Sequence, residues 1–415
     1  MALDLTPVYE AVIHEVNGPG GTYLYGDGNA YIAQVSDSLA VLIYAVYEDL
    51  ELRIRAFHPD TGSSYYDDQF YNPGTWDVQA VWIAKADTTT AFGVVRTSAS
   101  SGTYILFKAD SSGWSTQDYT GVSGFPDRPQ ADGASGFPYF WVPSTLSIWT
   151  ADLSDLSRTI TTVTLPTTPT NLTGIGSALT AWRGGVIAAG RDTTTNGGVN
   201  GHFYWYQIGT GFVDYTVSGL SVRATVTVAT GERLWGTSGS SSVGTTWEYD
   251  ATGDSFSTSS PGYREHTDGD LTSPDLYSEV DYERISLEDP WYLAQGGNRL
   301  DEDYDSYGQQ DPYKAFLHVT DATGDFDFFE FEEDSDFAPD PVNFYSFLNF
   351  QATDLDVQGD RFAAVLIAEA GNYDPTPDDV YWHTVIKVVC GTLTPTATVY
   401  AWRLGRLGGE GGLTW

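Results

Sequence analysis

The sequence predicts an all-β protein: a β-propeller of seven four-stranded blades, with six or eight as the neighbouring counts. Three observations predict it. The first is composition. The 415 residues include 44 Gly and are rich in Thr, Ser, Tyr and Trp, which suits many short strands joined by turns. The second is a strand–turn–strand unit whose clearest copies, Thr246–Phe256 and Leu317–Phe326, share the central sequence Asp-Ala-Thr-Gly-Asp. Asp bonds backbone groups two residues on and Gly accepts positive φ, so this is hairpin chemistry. The third is a period. Turns of this kind start near residue 60 and end near residue 390, and 330 residues over six intervals gives about 55 per repeat, a length that holds four strands.

Taken in order, the chain begins with Val8–Val16, which alternates like a strand. Propellers close by pairing a chain end into the last blade, and this segment or the aromatic end at Tyr400-Ala401-Trp402 is expected to do so. The first unit has strand-like runs at Ala30–Val35 and Ala40–Val46, then a hairpin of Leu52–His58, the turn Pro59-Asp60-Thr61-Gly62, and Ser63–Phe70. The second run is the more continuously apolar, as a strand buried on both faces should be. The second hairpin is Tyr104–Ala109, Asp110-Ser111-Ser112-Gly113 and Trp114–Tyr119. The third is Leu146–Thr150, a turn over Ala151–Asp155, and Leu156–Val163. The fourth is His202–Gln207, Ile208-Gly209-Thr210-Gly211 and Phe212–Val217. After the two clearest copies, the seventh is His383–Val389, a degenerate turn over Cys390–Pro395, and Thr396–Trp402. It follows the runs Thr353–Val357 and Phe362–Ala368. Residues 1–403 thus read as one propeller closed by a terminal strand. Residues 404–415 form a Gly-rich tail with little reason to order alone, expected to dock on a partner.

Charge narrows the function classes. The formal net charge is −37, and of 19 basic residues only Lys85, Lys108, Lys314 and Lys387 are lysines. Such a charge opposes nucleic acid and anionic lipid, so neither is an expected partner. No run approaches the ~18 apolar residues of a membrane span, and Met1–Pro7 lacks the basic and apolar regions of a secretory signal. Cys390 is the sole cysteine, which rules out an intrachain disulfide. Acidic residues spread along the whole chain, with lysine depleted, point to work in concentrated salt, where screening shortens self-repulsion to about 3 Å at 1 M.

Four long segments interrupt the later repeats: Pro261–Glu279, Gly297–Pro312, Phe331–Phe350 and Gly371–Asp379. Two connect blades and two join the second and third strands of a blade, so all four are expected on one face, the usual binding side of a repeat fold. Their candidate binding residues are the aromatics Tyr263, Tyr277, Tyr304, Tyr307, Tyr313, Phe337, Tyr345 and Tyr373, since Tyr and Trp are enriched at interfaces. Asp301, Asp303 and Asp305 alternate like calcium-loop ligands, although Ser306 and Pro312 stand where that loop needs Gly and Glu. No cofactor is required by this reading; Ca or Mg ions on the acidic loops are the one candidate. A solvated acidic surface is the plainer account of the same residues.

Enzymatic motifs are missing. The six His have no zinc spacing, a Gly-x-Ser-x-Gly elbow is absent, and no Asp-box repeat of the sialidase kind occurs. Carboxylate pairs suited to glycoside hydrolysis arise by chance among 56 acidic residues.

The repeated Asp-x-x-Gly hairpins, lysine depletion and missing signal resemble the β-propeller structural proteins of tailed viruses of halophilic archaea. The resemblance implies a non-enzymatic virion protein of a tail, baseplate or capsid decoration, exposed on the particle. Its implied partners are other virion proteins, further copies of itself, and a host-surface glycan or glycoprotein. The runner-up is a glycan-binding or glycan-cleaving (hydrolase or lyase) propeller, extracellular or on the surface of a halophile.

Overall fold

The computed structural model describes residues 2–19, 30–46, 51–72, 78–97, 103–120, 127–131, 138–142, 147–159, 180–182, 185–192, 200–207, 210–218, 224–230, 233–238, 245–250, 255–259, 280–284, 292–299, 314–320, 326–330, 345–358, 360–373 and 380–396. Every regular element among them is a β-strand. The chain opens on β1 (Ala2–Pro19). Sheets of four then follow: β2 (Ala30–Ser36), β3 (Leu39–Val46), β4 (Glu51–Phe57) and β5 (Ser64–Tyr71); β6 (Val78–Lys85), β7 (Ala91–Thr97), β8 (Tyr104–Asp110) and β9 (Gly113–Tyr119); β10 (Asp127–Ala131), β11 (Pro138–Val142), β12 (Ser147–Ala151) and β13 (Arg158–Thr159). Next come β14 (Thr180–Trp182), β15 (Gly185–Asp192), β16 (Asn200–Gln207) and β17 (Gly211–Ser218); β18 (Ala224–Thr230), β19 (Arg233–Ser238), β20 (Thr245–Asp250) and β21 (Ser255–Ser259); β22 (Val280–Arg284), β23 (Tyr292–Arg299), β24 (Lys314–Thr320) and β25 (Phe326–Glu330). The closing sheet holds β26 (Tyr345–Gln358), β27 (Arg361–Tyr373) and β28 (Val380–Thr396), with β1 beside β28.

The first strand of each sheet packs against the first strand of the next. Contacts run β2 to β6, β10, β14, β18, β22 and β26 in turn, and β26 returns to β2. A closed cycle of antiparallel four-stranded sheets is a β-propeller. The sequence pattern dictates the layering within a sheet. In β3, Leu-Ala-Val-Leu-Ile-Tyr-Ala-Val is buried throughout, as a strand covered on both faces must be. The outer strand β5 is half exposed and carries Asp67 and Asp68, charges that guard an open edge.

Hairpin turns form where the Asp/Gly chemistry placed them. In the first, the His58 carbonyl accepts from Gly62 N–H at 2.8 Å, and Gly62 takes φ +66°. In the second, Asp110 Oδ1 accepts from Ser112 N–H at 2.6 Å and Gly113 N–H at 3.2 Å. For the two clearest copies, β20 pairs with β21 and β24 with β25, while their turns lie outside the described residues. The third turn runs longer than expected. Leu156 adopts φ +58° and still belongs to it, with its N–H bonded to the Asp152 carbonyl at 2.7 Å, so the strand starts at Arg158.

A tyrosine from each outer strand grips the next sheet's turn at three successive joints. Tyr66 of β5 donates to the Gly113 carbonyl at 3.3 Å, and Tyr119 of β9 donates to the Leu156 carbonyl at 2.7 Å. At the first turn, the ring of Tyr9 from β1 fills the space a side chain at Gly62 would need, 2.0 Å from the ideal Cβ position. Gly62→Ala therefore meets both a left-handed backbone and an occupied site. It is expected to destabilise by about 2–4 kcal/mol, read by denaturant unfolding. Tyr119→Phe is expected to cost only about 1 kcal/mol, the net worth of one hydrogen bond.

The seventh hairpin differs from its sequence reading. Cys390–Pro395 is not a turn; β28 runs through it unbroken, paired with β27 and β1. Gly391 is there for close approach: a Cβ would lie 2.4 Å from the Thr6 carbonyl oxygen and 2.6 Å from the Phe362 ring, beside the bulge between Pro7 and Tyr9. The outer strand of this sheet is β1, which pairs from Ala2↔Thr396 to Pro19↔Tyr381. Polar contacts fasten the closing sheet to the first sheet. Arg361 grips Asp60 through both terminal nitrogens and lies 3.5 Å from Asp37, and Gln34 N–H donates to Asp356 Oδ2 at 2.7 Å. Within the sheet, buried Lys387 pairs with Glu10 of β1.

Candidate interaction surface

The ring has two different ends. Strand direction places the tight turns 37–38, 58–63, 86–90, 111–112 and 152–157, and the junction between β26 and β27, at one of them. The connections between sheets, and those between second and third strands, leave from the other. Strand ends Ser259/Val280, Arg299/Lys314, Glu330/Tyr345 and Tyr373/Val380 bound the four long acidic segments there.

The closing sheet is also longest toward that end. Its strands have 14, 13, 17 and 18 residues, against two to eight elsewhere. The Gln34–Asp356 bond holds β2 and β26 level near their turns, each two residues from its strand's end, so the surplus of β26 lies at the opposite end, while β28 and β1 also run past the start of β27 on the turn side, as the pair Ala2↔Thr396 shows. About six residues per strand at that end carry it roughly 20 Å further. The connection from Tyr373 to Val380 leaves from its tip.

Tyr345 and Tyr373 were expected in loops. They are strand residues and register partners of one another, in the row Tyr345–Tyr373–Val380. The long segments are thus shorter than the sequence suggested, since Tyr345–Phe350 belongs to β26, Gly371–Tyr373 to β27 and Gly297–Arg299 to β23. Tyr263, Tyr277, Tyr304, Tyr307, Tyr313 and Phe337 lie outside the described residues, as do Asp301, Asp303 and Asp305 and the tail 404–415. Among the described residues no group of three or more His, Cys, Asp or Glu side chains is placed to hold a metal, and no helix is long and apolar enough to cross a membrane.

Several of the described basic side chains are engaged within or between sheets. Lys108 Nζ donates to the Leu153 and Ser154 carbonyls of the next sheet's turn, at 2.5 and 3.2 Å. Lys85 has its pKa lowered by burial, against the opposing fields of Asp356, Asp87 and Asp37. In the first sheet, Arg53 bonds Glu51 and Asp67 at 2.9 Å each, and the Tyr44 phenol donates to Asp67 at 3.0 Å. Burial, reinforced by the Asp67 carboxylate, pushes the Tyr44 phenol up from 10.0 to about 12. A proton held more tightly in the folded state means stability present below the unfolded value and lost as pH climbs through the folded one. Stability is therefore expected to fall between pH 10.0 and about 12, by on the order of 2 kcal/mol. Tyr44→Phe should flatten that limb in pH-dependent unfolding.

Sequence reasoning missed this seam and the tyrosine grips. A signal existed for the latter: Tyr66 and Tyr119 follow their turn glycines, Gly62 and Gly113, by four and six residues. Arg361, Lys387 and Glu10 offered none, because their partners lie on distant parts of the chain.

No protein-family model matches the chain, and no curated protein matches it. Solved structures do. The β-propeller domain of the Trilobed protease from Pyrococcus furiosus aligns over 85% of this chain and 95% of its own, at 9% identity and a TM-score of 0.46. The WD40 domain of SCAP from fission yeast aligns over 94% and 98%, at 8% identity and a TM-score of 0.38. A prolyl endopeptidase aligns over 85% of this chain and 49% of its own, at 11% identity and a TM-score of 0.43.

Proposed function

We propose that the protein is a non-enzymatic binding propeller, a structural component of a virion that works in concentrated salt. In this reading it meets its partner, another virion protein or the host surface, through the end that bears the long acidic segments. The observation that carries the reading is the coincidence at one end of the ring of four long acidic, aromatic connections and the elongated closing sheet, while the other end keeps tight turns. Scaffolds that bind through loops concentrate their insertions on one side in this way. The net charge of −37 supports the high-salt setting, since self-repulsion of that size works against a compact fold in dilute solution.

The test replaces residues 300–313 with a short Gly/Ser turn. The variant is expected to keep its melting midpoint and to lose incorporation into, or attachment by, the particle. Normal incorporation and attachment would sink the proposal. A screen on acidic glycans covers the runner-up: turnover abolished by a single Asp or Glu substitution in the long segments, with the fold intact, would replace this reading with a glycan-active one. Bound divalent ions are no requirement of the proposal. A chelator added at constant ionic strength is expected to leave the melting midpoint unchanged.

A further inference from the structure

We draw no further inference here: the strongest candidate, the part of the closing sheet that stands beyond the ring at the end of the long segments (residues 345–350, 368–373, 380–385 and 15–19), carries nothing because nothing in the structure shows what covers it.

Discussion

Moving the protein from about 1 M to about 0.1 M monovalent salt is expected to lower its stability by several kcal/mol, enough to unfold it or bring its melting midpoint close to ambient temperature. The chain carries 56 acidic against 19 basic residues, and the described structure removes several of the basic ones from the pool that could neutralise the surface. Lys387 is buried against Glu10, Lys108 is committed to two backbone carbonyls, and Arg53 and Arg361 each serve two carboxylates. The outward acids must rely on dissolved cations. Screening length grows from about 3 Å at 1 M to about 10 Å at 0.1 M, so carboxylates on neighbouring hairpins begin to repel as salt is withdrawn. Circular dichroism melts across a salt series would show the midpoint rising with salt. A midpoint that stayed level or fell would show that the charge is tolerated without added cations, and would remove the high-salt setting from the proposed function.

Deleting residues 2–19 is expected to have the second large effect, loss of cooperative unfolding. That strand supplies the outer edge of the closing sheet along nearly the whole of β28, places Tyr9 against Gly62 and Phe57, and brings Glu10 to buried Lys387. Without it the edge of β28, including buried Val388 and Val389, loses its backbone pairing partners. A point variant separates ion pairing from strand pairing. Glu10→Gln leaves the strand in place but takes the carboxylate away from a buried ammonium. It is expected to cost about 1–3 kcal/mol, discounted because Glu10 itself is partly exposed, whereas Glu10→Gln with Lys387→Met should recover most of that loss. Full cooperativity in the deletion variant, with an unchanged denaturant slope, would mean that the remaining ring holds without its strap.

Much of this fold was readable because its rules are local. Asp110 reaching Ser112, or Gly62 adopting positive φ, depends on residues within a few positions, and so does the apolar run of β3. The closing sheet was only half readable, because Ala2 pairs with Thr396 and Asp60 with Arg361 across the length of the chain. Its turn was misplaced for a physical reason: Gly391 and Pro395 look like turn residues, but glycine also serves where two backbones and a ring crowd together. The candidate surface was readable as topology, since counting strands is enough to put the four long segments at one end. Its individual residues were not. Tyr345 and Tyr373 proved to be strand partners, and acidic, aromatic stretches without periodicity carry no rule that fixes one geometry.

The pairing of Ala2 with Thr396 has a practical consequence. Positions 2 and 396 meet at the face of the tight turns, one strand spacing apart, so chain leaving either strand end there starts out on the side away from the long segments. A linker of a few residues could join them into a continuous loop. New termini could then be opened at an exposed two-residue turn such as Ser111-Ser112. In such a circular permutant the β1–β28 pairing would become an ordinary hairpin, and the strap would be covalently tied at both of its ends.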